Sequence, residues 1–264
     1  MISFSSIWAI TIRHLRLYRH DLNLCLMIVF WPLLDVITWG FLGSWIQESG
    51  INSFSNYTEI ALLGVLLWQI VGRGANVIAL AFNEELWQNN ILNLFSLPLR
   101  LIEWSLGIII YFAIAVVATA LCGFFSVYFL YDVLIWKMIY YFVIFLPPLF
   151  FSAIWLGFTS LQIVVLLGKR GTELGFVVVW FLLPFSGAYY PIEVLPAWGK
   201  CISAFCPMSY VFSGMRAYVM YHQDPTVYLI KGYSMSIVYA VISIVLFIYL
   251  FNLKRHKGIS RLAD

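Results

Sequence analysis

The sequence predicts an all-α polytopic membrane protein, and three observations predict it. Hydrophobic residues make up 63% of the chain and charged residues only 10%, whereas soluble domains run at about 45–50% and about 25%. Apolar runs of about 20 residues or more, enough for a helix to cross the hydrocarbon of a bilayer, recur along the chain. Lys and Arg are concentrated in alternate connecting segments instead of being spread evenly. A mean hydropathy of +0.93 excludes a soluble globular enzyme, a disordered chain and a disulfide scaffold. A net charge of +3 is too small to point to nucleic acid, and the four Cys form neither a CxxC nor a Cys/His cluster, so no metal site is expected.

The first element is residues 3–20. Ile7, Trp8, Ile12 and Leu15 can share one apolar side, and Arg13, Arg16, Arg19 and His20 supply charge. This is the pattern of an interfacial amphipathic helix lying on a leaflet; a charged anchor that only sets topology is the alternative. The apolar run that follows is too long for the h-region of a signal peptide, and no small-residue cleavage site follows it. Six spans then read as Leu22–Ile46, Tyr57–Phe82, Trp104–Tyr131, Ile139–Gly168, Gly171–Tyr190 and Tyr233–Asn252. An even number leaves both termini on one side. That side carries Arg13, Arg16, Arg19, Arg100, Lys169, Arg170, Lys254, Arg255, Lys257 and Arg261, and the other only Lys137, Lys200, Arg216 and Lys231. The excess of Lys and Arg places both termini in the cytoplasm.

Two connections are too large to be plain turns. Residues 83–98 are expected to form a short cytoplasmic amphipathic helix. Asn83 is the candidate N-cap, and Glu84 and Glu85 would sit in the first turn, where the helix dipole favours carboxylates. Leu86, Ile91, Leu94 and Phe95 follow at roughly helical spacing, and Pro98 ends the run; a solvated loop helix is the plainer reading. Residues 191–219 face outward and stay largely apolar despite Pro191, Pro196 and Pro207. Irregular backbone at membrane depth requires protein or a cavity around it, so Ile192–Phe205 and Ser209–Val219 read as short re-entrant helices, with helices lying flat in the interface as the alternative. Cys201 and Cys206 read as buried thiols and not as a bridge.

The chain offers little catalytic chemistry. It has four His and lacks both HExxH and GxxxxGK[ST], so it reads neither as a zinc protease nor as a P-loop protein, and no nucleotide site of its own is expected. Asp35 and Arg73 fall inside spans, where charges are costly and are paired or functional. At about 1.5 Å per residue they lie roughly 20 Å and roughly 14 Å above the cytoplasmic ends of their spans. They read either as an ion pair stapling two helices or as a polar spot on a transport path. Pro32, Pro147, Pro148 and Pro184 interrupt spans one, four and five and can kink them.

The segments Glu84-Glu85-Leu86-Trp87 to Asn93-Leu94-Phe95-Ser96-Leu97-Pro98 and Tyr190-Pro191-Ile192-Glu193-Val194-Leu195-Pro196, the latter followed by Pro207-Met208-Ser209-Tyr210 and Arg216, resemble stretches of the ABC-2 type exporter permeases. The resemblance covers most of residues 5–255 and departs at Asn89-Asn90, where many relatives have Gly or Thr. It implies a single permease domain over 1–264, with an interfacial helix at 3–20, a coupling helix at 83–98 and outward re-entrant helices at 191–219. It implies that two copies pair, each docking a separate cytoplasmic ATPase that binds ATP and Mg; the chain itself would hold no cofactor and be no enzyme. Glu84, Glu85, Leu86, Trp87 and Ile91 would contact that ATPase, flanked by Arg13, Arg16 and Arg19. Spans one, two and five would line a path past Asp35 and Arg73, with Pro191, Leu195, Pro196, Pro207 and Tyr210 in an outward gate. The expected cargo is an amphipath (a glycolipid, a lipid-linked polysaccharide or a hydrophobic drug) leaving across a bacterial inner membrane. A secondary transporter or channel without an ATPase is the rival, although no inverted repeat is visible. A membrane-embedded transferase would need more convergent polar groups than the spans offer.

Overall fold

A backbone surrounded by hydrocarbon must satisfy its own hydrogen bonds, and a helix does so within one segment. A computed structural model of the chain describes residues 3–20, 22–49, 57–131 and 135–256, and every regular element among them is helical. They are α1 (Phe4–His20), α2 (Leu22–Glu48), α3 (Tyr57–Trp87), α4 (Ile91–Ser96), α5 (Leu101–Tyr131), α6 (Ile135–Leu167), α7 (Gly171–Phe181), α8 (Leu183–Ser186), α9 (Ala197–Ala204), α10 (Pro207–Tyr221) and α11 (Thr226–His256), with 3-10 turns at Gly168–Arg170 and Ile192–Val194.

Among the described residues, 5 stretches are long and apolar enough to cross a membrane: Val29–Ile46, Thr58–Trp87, Leu101–Tyr131, Met138–Ser186 and Thr226–Arg255. This defines a multi-pass helical membrane protein. The fourth stretch is 49 residues long, far more than one crossing requires, and it is folded back on itself. Ser160 Oγ donates to the Gly175 carbonyl at 2.7 Å, and a Cβ on Gly171 would stand 2.8 Å from the Ile163 carbonyl oxygen, so α6 and α7 run antiparallel. The reversal falls at Gly168, whose φ of 67° is a left-handed conformation that glycine adopts without strain. The expected span over 171–190, with Pro184 as its interruption, is a helix broken beside that proline. It stops at Phe181, restarts for one turn with Pro184 at the opening of α8, and ends where Gly187 turns left-handed at φ 71°.

Cross-helix contacts fix the other directions. Ser152 meets Ser236 at 3.0 Å, Gln162 Nε2 donates to the Ser243 carbonyl at 2.9 Å, and Trp155 packs on Tyr239, so α6 and α11 run parallel. Phe112 stacks on Phe150 and Phe124 meets Phe142 edge-on, so α5 runs opposite to α6. The most buried of the long helices is α3, which packs against α2, α5, α6 and α7.

Beyond α8 the expected helix over Ile192–Phe205 is split. Leu195 is extended, and Pro196, which cannot continue a hydrogen-bonded turn, becomes the N-cap of α9. The second expected helix appears as α10, which lies antiparallel to the first turns of α11: Gly214 sits against Tyr228, and Gly232 against Val211 and the Pro207 carbonyl. Cys206, at the α9–α10 tip, lines one cavity with Tyr239 and Ser243 of α11. Cys206 is buried there, but Cys201 is exposed, contrary to expectation, because α9 turns Trp198, Lys200 and Cys201 to the surface.

The α6–α7 hairpin depends on the missing side chain at Gly171. Gly171→Ala should force a backbone shift and cost about 1–3 kcal/mol, as overpacking does; a lowered melting temperature of the purified protein against wild type is the measurement.

Candidate functional site

The first cluster lies at the end of the bundle where α3, α6 and α11 finish and α5 begins. Asn83, Glu84, Glu85, Leu86 and Trp87 are not the opening of a new helix but the last turns of α3. No breaker separates them from Phe82, and the buried stripe of Ile78, Ala81, Phe82, Glu85 and Leu86 continues without interruption. The chain turns only at Gln88–Asn90, with Asn89 at φ 53°, a conformation Asn tolerates better than most residues. Asn90 is then the N-cap position of the six-residue α4, which buries Ile91, Leu94 and Phe95; Phe95 packs on Phe251 at 4.8 Å between ring centroids.

A carboxylate in the last turn of a helix faces the unfavourable end of the dipole. Partners offset this for Glu85: Arg13 Nη2 stands 2.6 Å from its Oε1, and Asn90 Nδ2 donates to its Oε2 at 2.7 Å. Two more cations hold the turn and the α4 that follows it. Lys169 Nζ donates to Asn89 Oδ1 at 3.2 Å, and Arg255 Nη2 donates to the Phe95 carbonyl at 3.4 Å. On the neighbouring helix, Glu103 accepts from the Ser3 backbone N–H at 2.7 Å and from the Arg100 backbone N–H at 3.0 Å, so one carboxylate caps the starts of α1 and α5. Charges from α1, the α6–α7 turn and α11 thus converge on the end of α3, the turn after it and α4. What remains open is Trp87, 47% exposed, and Leu97, 59% exposed, with Gln88, Asn93 and Pro98 around them. Of the residues expected to meet a partner, Trp87 is exposed and Glu84 half-buried, while Glu85, Leu86 and Ile91 point into the bundle. Arg16 is exposed, and the side chain of Arg19 lies outside the described residues.

α1 is fastened to α5 by close approach. Thr11 Oγ1 donates to the Gly107 carbonyl at 3.0 Å, and a Cβ on Gly107 would meet Ile10 at 2.9 Å. His14 is buried beside Tyr111 with no hydrogen-bond partner on Nε2 among the described residues. Burial, and then the adjacent Arg13 charge, push its pKa down to about 4.

The second cluster lies midway along α2 and α3. Gln69 Nε2 donates to Asp35 Oδ2, and Arg73 Nε donates to Gln69 Oε1. The expected Asp35–Arg73 contact is therefore bridged by a residue that sequence reading missed. Gln69 sits one turn along α3 from Arg73, which closes the difference in depth between the two charges. Aromatic rings bound the relay on two sides: Trp31 lies under the Arg73 guanidinium at 5.5 Å, and Trp39 stacks on Tyr189 at 4.1 Å with 12° between planes. An anionic and a cationic side chain joined by an amide, with flat rings beside them, can hold a polar or zwitterionic group. The arrangement supplies no activated nucleophile.

The expected gate residues fall at the opposite end of the bundle. Pro191, Leu195 and Pro196 frame the Ile192–Val194 turn, Pro207 opens α10, and Tyr210 donates its hydroxyl to the Ala204 carbonyl at 3.1 Å with Lys231 over its ring. Sequence reading did not anticipate the task of Arg216: it is buried, and its Nη1 donates to the Gly187 carbonyl where α8 ends. Comparison of the chain with protein-family models, with curated proteins and with solved structures gives no match.

Two measurements check these clusters. His14 is neutral in the folded protein well below the ordinary histidine pKa, so the unfolded chain binds the extra proton first. Stability should be full above pH about 6.5 and fall toward pH about 4 by on the order of 3 kcal/mol. In melting curves against pH, His14→Phe should flatten that slope. Gln69→Leu strips the Asp35 carboxylate of a donor in a water-poor setting and should cost about 2 kcal/mol or more in unfolding free energy.

Proposed function

We propose that this chain is the membrane-spanning subunit of an ATP-driven exporter of the ABC-2 permease type, moving an amphipathic substrate out of the cytoplasm or inner leaflet of a bacterial inner membrane. In this reading α2, α3, α5, α6, the α7–α8 pair and α11 are six spans, both termini are cytoplasmic, and α1 rests on the inner leaflet. The α9–α10 hairpin dips into the outer leaflet. Two permeases pair, and each docks a separate ATPase that supplies the ATP and Mg chemistry.

The observation that carries the reading is the corner from the end of α3 through α4. It presents Trp87 and Leu97 to solvent while Glu85 is held by Arg13, Asn89 by Lys169 and the Phe95 carbonyl by Arg255, from three other elements. An exposed Trp within a polar rim is a usual anchor of a docking surface, and Leu97 adds apolar area beside it. A push on them would reach α1, α3, the α6–α7 turn and α11 together. The Asp35–Gln69–Arg73 relay then serves as the polar station on the path, and its Trp31, Trp39 and Tyr189 neighbours flank the passing headgroup.

A tagged full-length chain purified from its own cells should carry an ATPase in about a one-to-one ratio. Trp87→Ala combined with Leu97→Ala should cut that recovery about tenfold or more, since anchor truncations each cost more than about 1 kcal/mol, and should leave the melting temperature near wild type because both side chains are exposed. Glu85→Ala is the poorer test, because it also uncouples Arg13. Transport by the purified chain alone would replace this reading with that of a secondary transporter or channel.

A further inference from the structure

On the face of the bundle away from α2, a cavity of about 630 Å³ opens between α6 and α11, under the α9–α10 tip. Its volume lies in the range of small-molecule sites, about 300–1,000 Å³. Three features of its walls define what can enter.

No lining residue is an Asp, Glu, Lys, Arg or His, so the cavity offers nothing to neutralise a phosphate or an ammonium group. Three of its polar side chains are turned to helix carbonyls: Thr159 donates to Trp155 at 2.8 Å, Gln162 to Ser243 at 2.9 Å and Ser243 to Ala240 at 2.9 Å; the Tyr239 hydroxyl and the Cys206 thiol are further polar groups in the lining. The side chains that face the lumen are mainly apolar, among them Phe205, Ile242 and Leu246.

The mouth runs along α11, where Ile242 and Leu246 are exposed in line with Val238, Val241 and Val245. On a helix long and apolar enough to cross the membrane, such an aliphatic stripe faces lipid, so what reaches the mouth arrives through the hydrocarbon. The lining starts at Tyr239, 13 residues into α11, or about 20 Å along it, at the depth of lipid tails and not of headgroups. An apolar recess left empty at that depth would forfeit dispersion contacts along its whole lining.

We infer that this cavity is a binding site for the uncharged tail, acyl or isoprenoid, of a membrane lipid, seated between α6 and α11 against Phe205 and Cys206. The inference rests on residence in a membrane and on the cavity; it does not depend on a docked ATPase.

The test uses the full-length protein in phosphatidylcholine nanodiscs doped with phosphatidylcholine carrying a diazirine at the end of one acyl chain. After photolysis, adducts are mapped by peptide mass spectrometry. Adducts should concentrate on Trp155–Gln162, Phe205–Cys206 and Tyr239–Leu246, relative to the α5 positions Val117, Leu121 and Phe125, which are more exposed than most of the cavity lining and would be labelled first by lipid contact alone. Ser243→Leu and, separately, Thr159→Leu narrow the cavity from two different helices. Each should lower the cavity adducts at least about fivefold while α5 adducts persist, since a filled interior leaves no room for a chain. Adducts spread evenly over all lipid-facing helices of the wild type would overturn the site, whether or not either variant folds. Loss of no cavity adducts in a folded variant would overturn it as well. Equal labelling of the same peptides by a headgroup diazirine would overturn the assignment to a tail.

Discussion

The burial of α3 by four other helices is the constraint on which the arrangement depends. In hydrocarbon the surrounding lipid is as apolar as a leucine, so helices associate through close packing and through polar side chains that must find partners inside the protein. Around α3 the packing is tight: a Cβ on Gly64 would stand 2.6 Å from the Ala188 carbonyl, and one on Gly157 of α6 would stand 2.8 Å from Ile78. A polar side chain on such a helix has no recourse to lipid or bulk water. Gln69 therefore turns to Asp35 and Arg73 to Gln69, and Glu85 turns to Arg13 and Asn90. Both polar clusters follow from the same burial, one at the middle of α3 and one at its end.

Because α3 runs unbroken from Tyr57 to Trp87, the two clusters are joined by a single rigid element. Gln69 and Glu85 are 16 residues apart, about 24 Å along the axis. Between them α3 holds no proline and no left-handed residue; Gly72 and Gly74, beside Arg73, are its two flexible positions. Had a separate helix begun at Asn83, the joint would have fallen between the two clusters and the turn could have moved by itself. With the helix continuous through Asn83, Trp87 and the relay belong to one element.

The legibility of the sequence followed the energies involved. The membrane class was plain because burying a charge in hydrocarbon is expensive at every position, and composition records that cost over the whole chain. Asp35 and Arg73 stood out for the same reason. Gln69 did not, because an uncharged amide in a span carries no comparable signal, although its place one turn from Arg73 was visible. The α3–α4 boundary was misjudged because Asn83 and two glutamates imitate an N-terminus. The better signal was Asn89-Asn90, where a left-handed residue is cheapest. Glu103 was readable in principle, since a glutamate at the third position of a helix commonly reaches back to the N-cap N–H. The α9–α10 packing was beyond reach, because an apolar run with three prolines specifies short pieces without specifying their depth beside α11.

The two interior sites differ in kind, and their positions bear on what each can do. The relay sits where α2 meets α3 and contains both signs of charge. The cavity sits where α6 meets α11 and contains neither. Since α6 packs against α3 on one side and α11 on the other, the wall between the sites is a closed helix layer, with Phe158 and Phe247 in edge contact within it. A single amphipath cannot place its headgroup at the relay and its tail in the cavity without parting those helices. A tail seated at α6–α11 therefore belongs to a lipid distinct from any group held at the relay. It fills the bundle's outer flank and supports the Cys206 end of the α9–α10 hairpin from beneath. Emptying that cavity should first loosen the hairpin, and Arg216 carries the disturbance on, since it ties α10 to the Gly187 carbonyl at the end of α8.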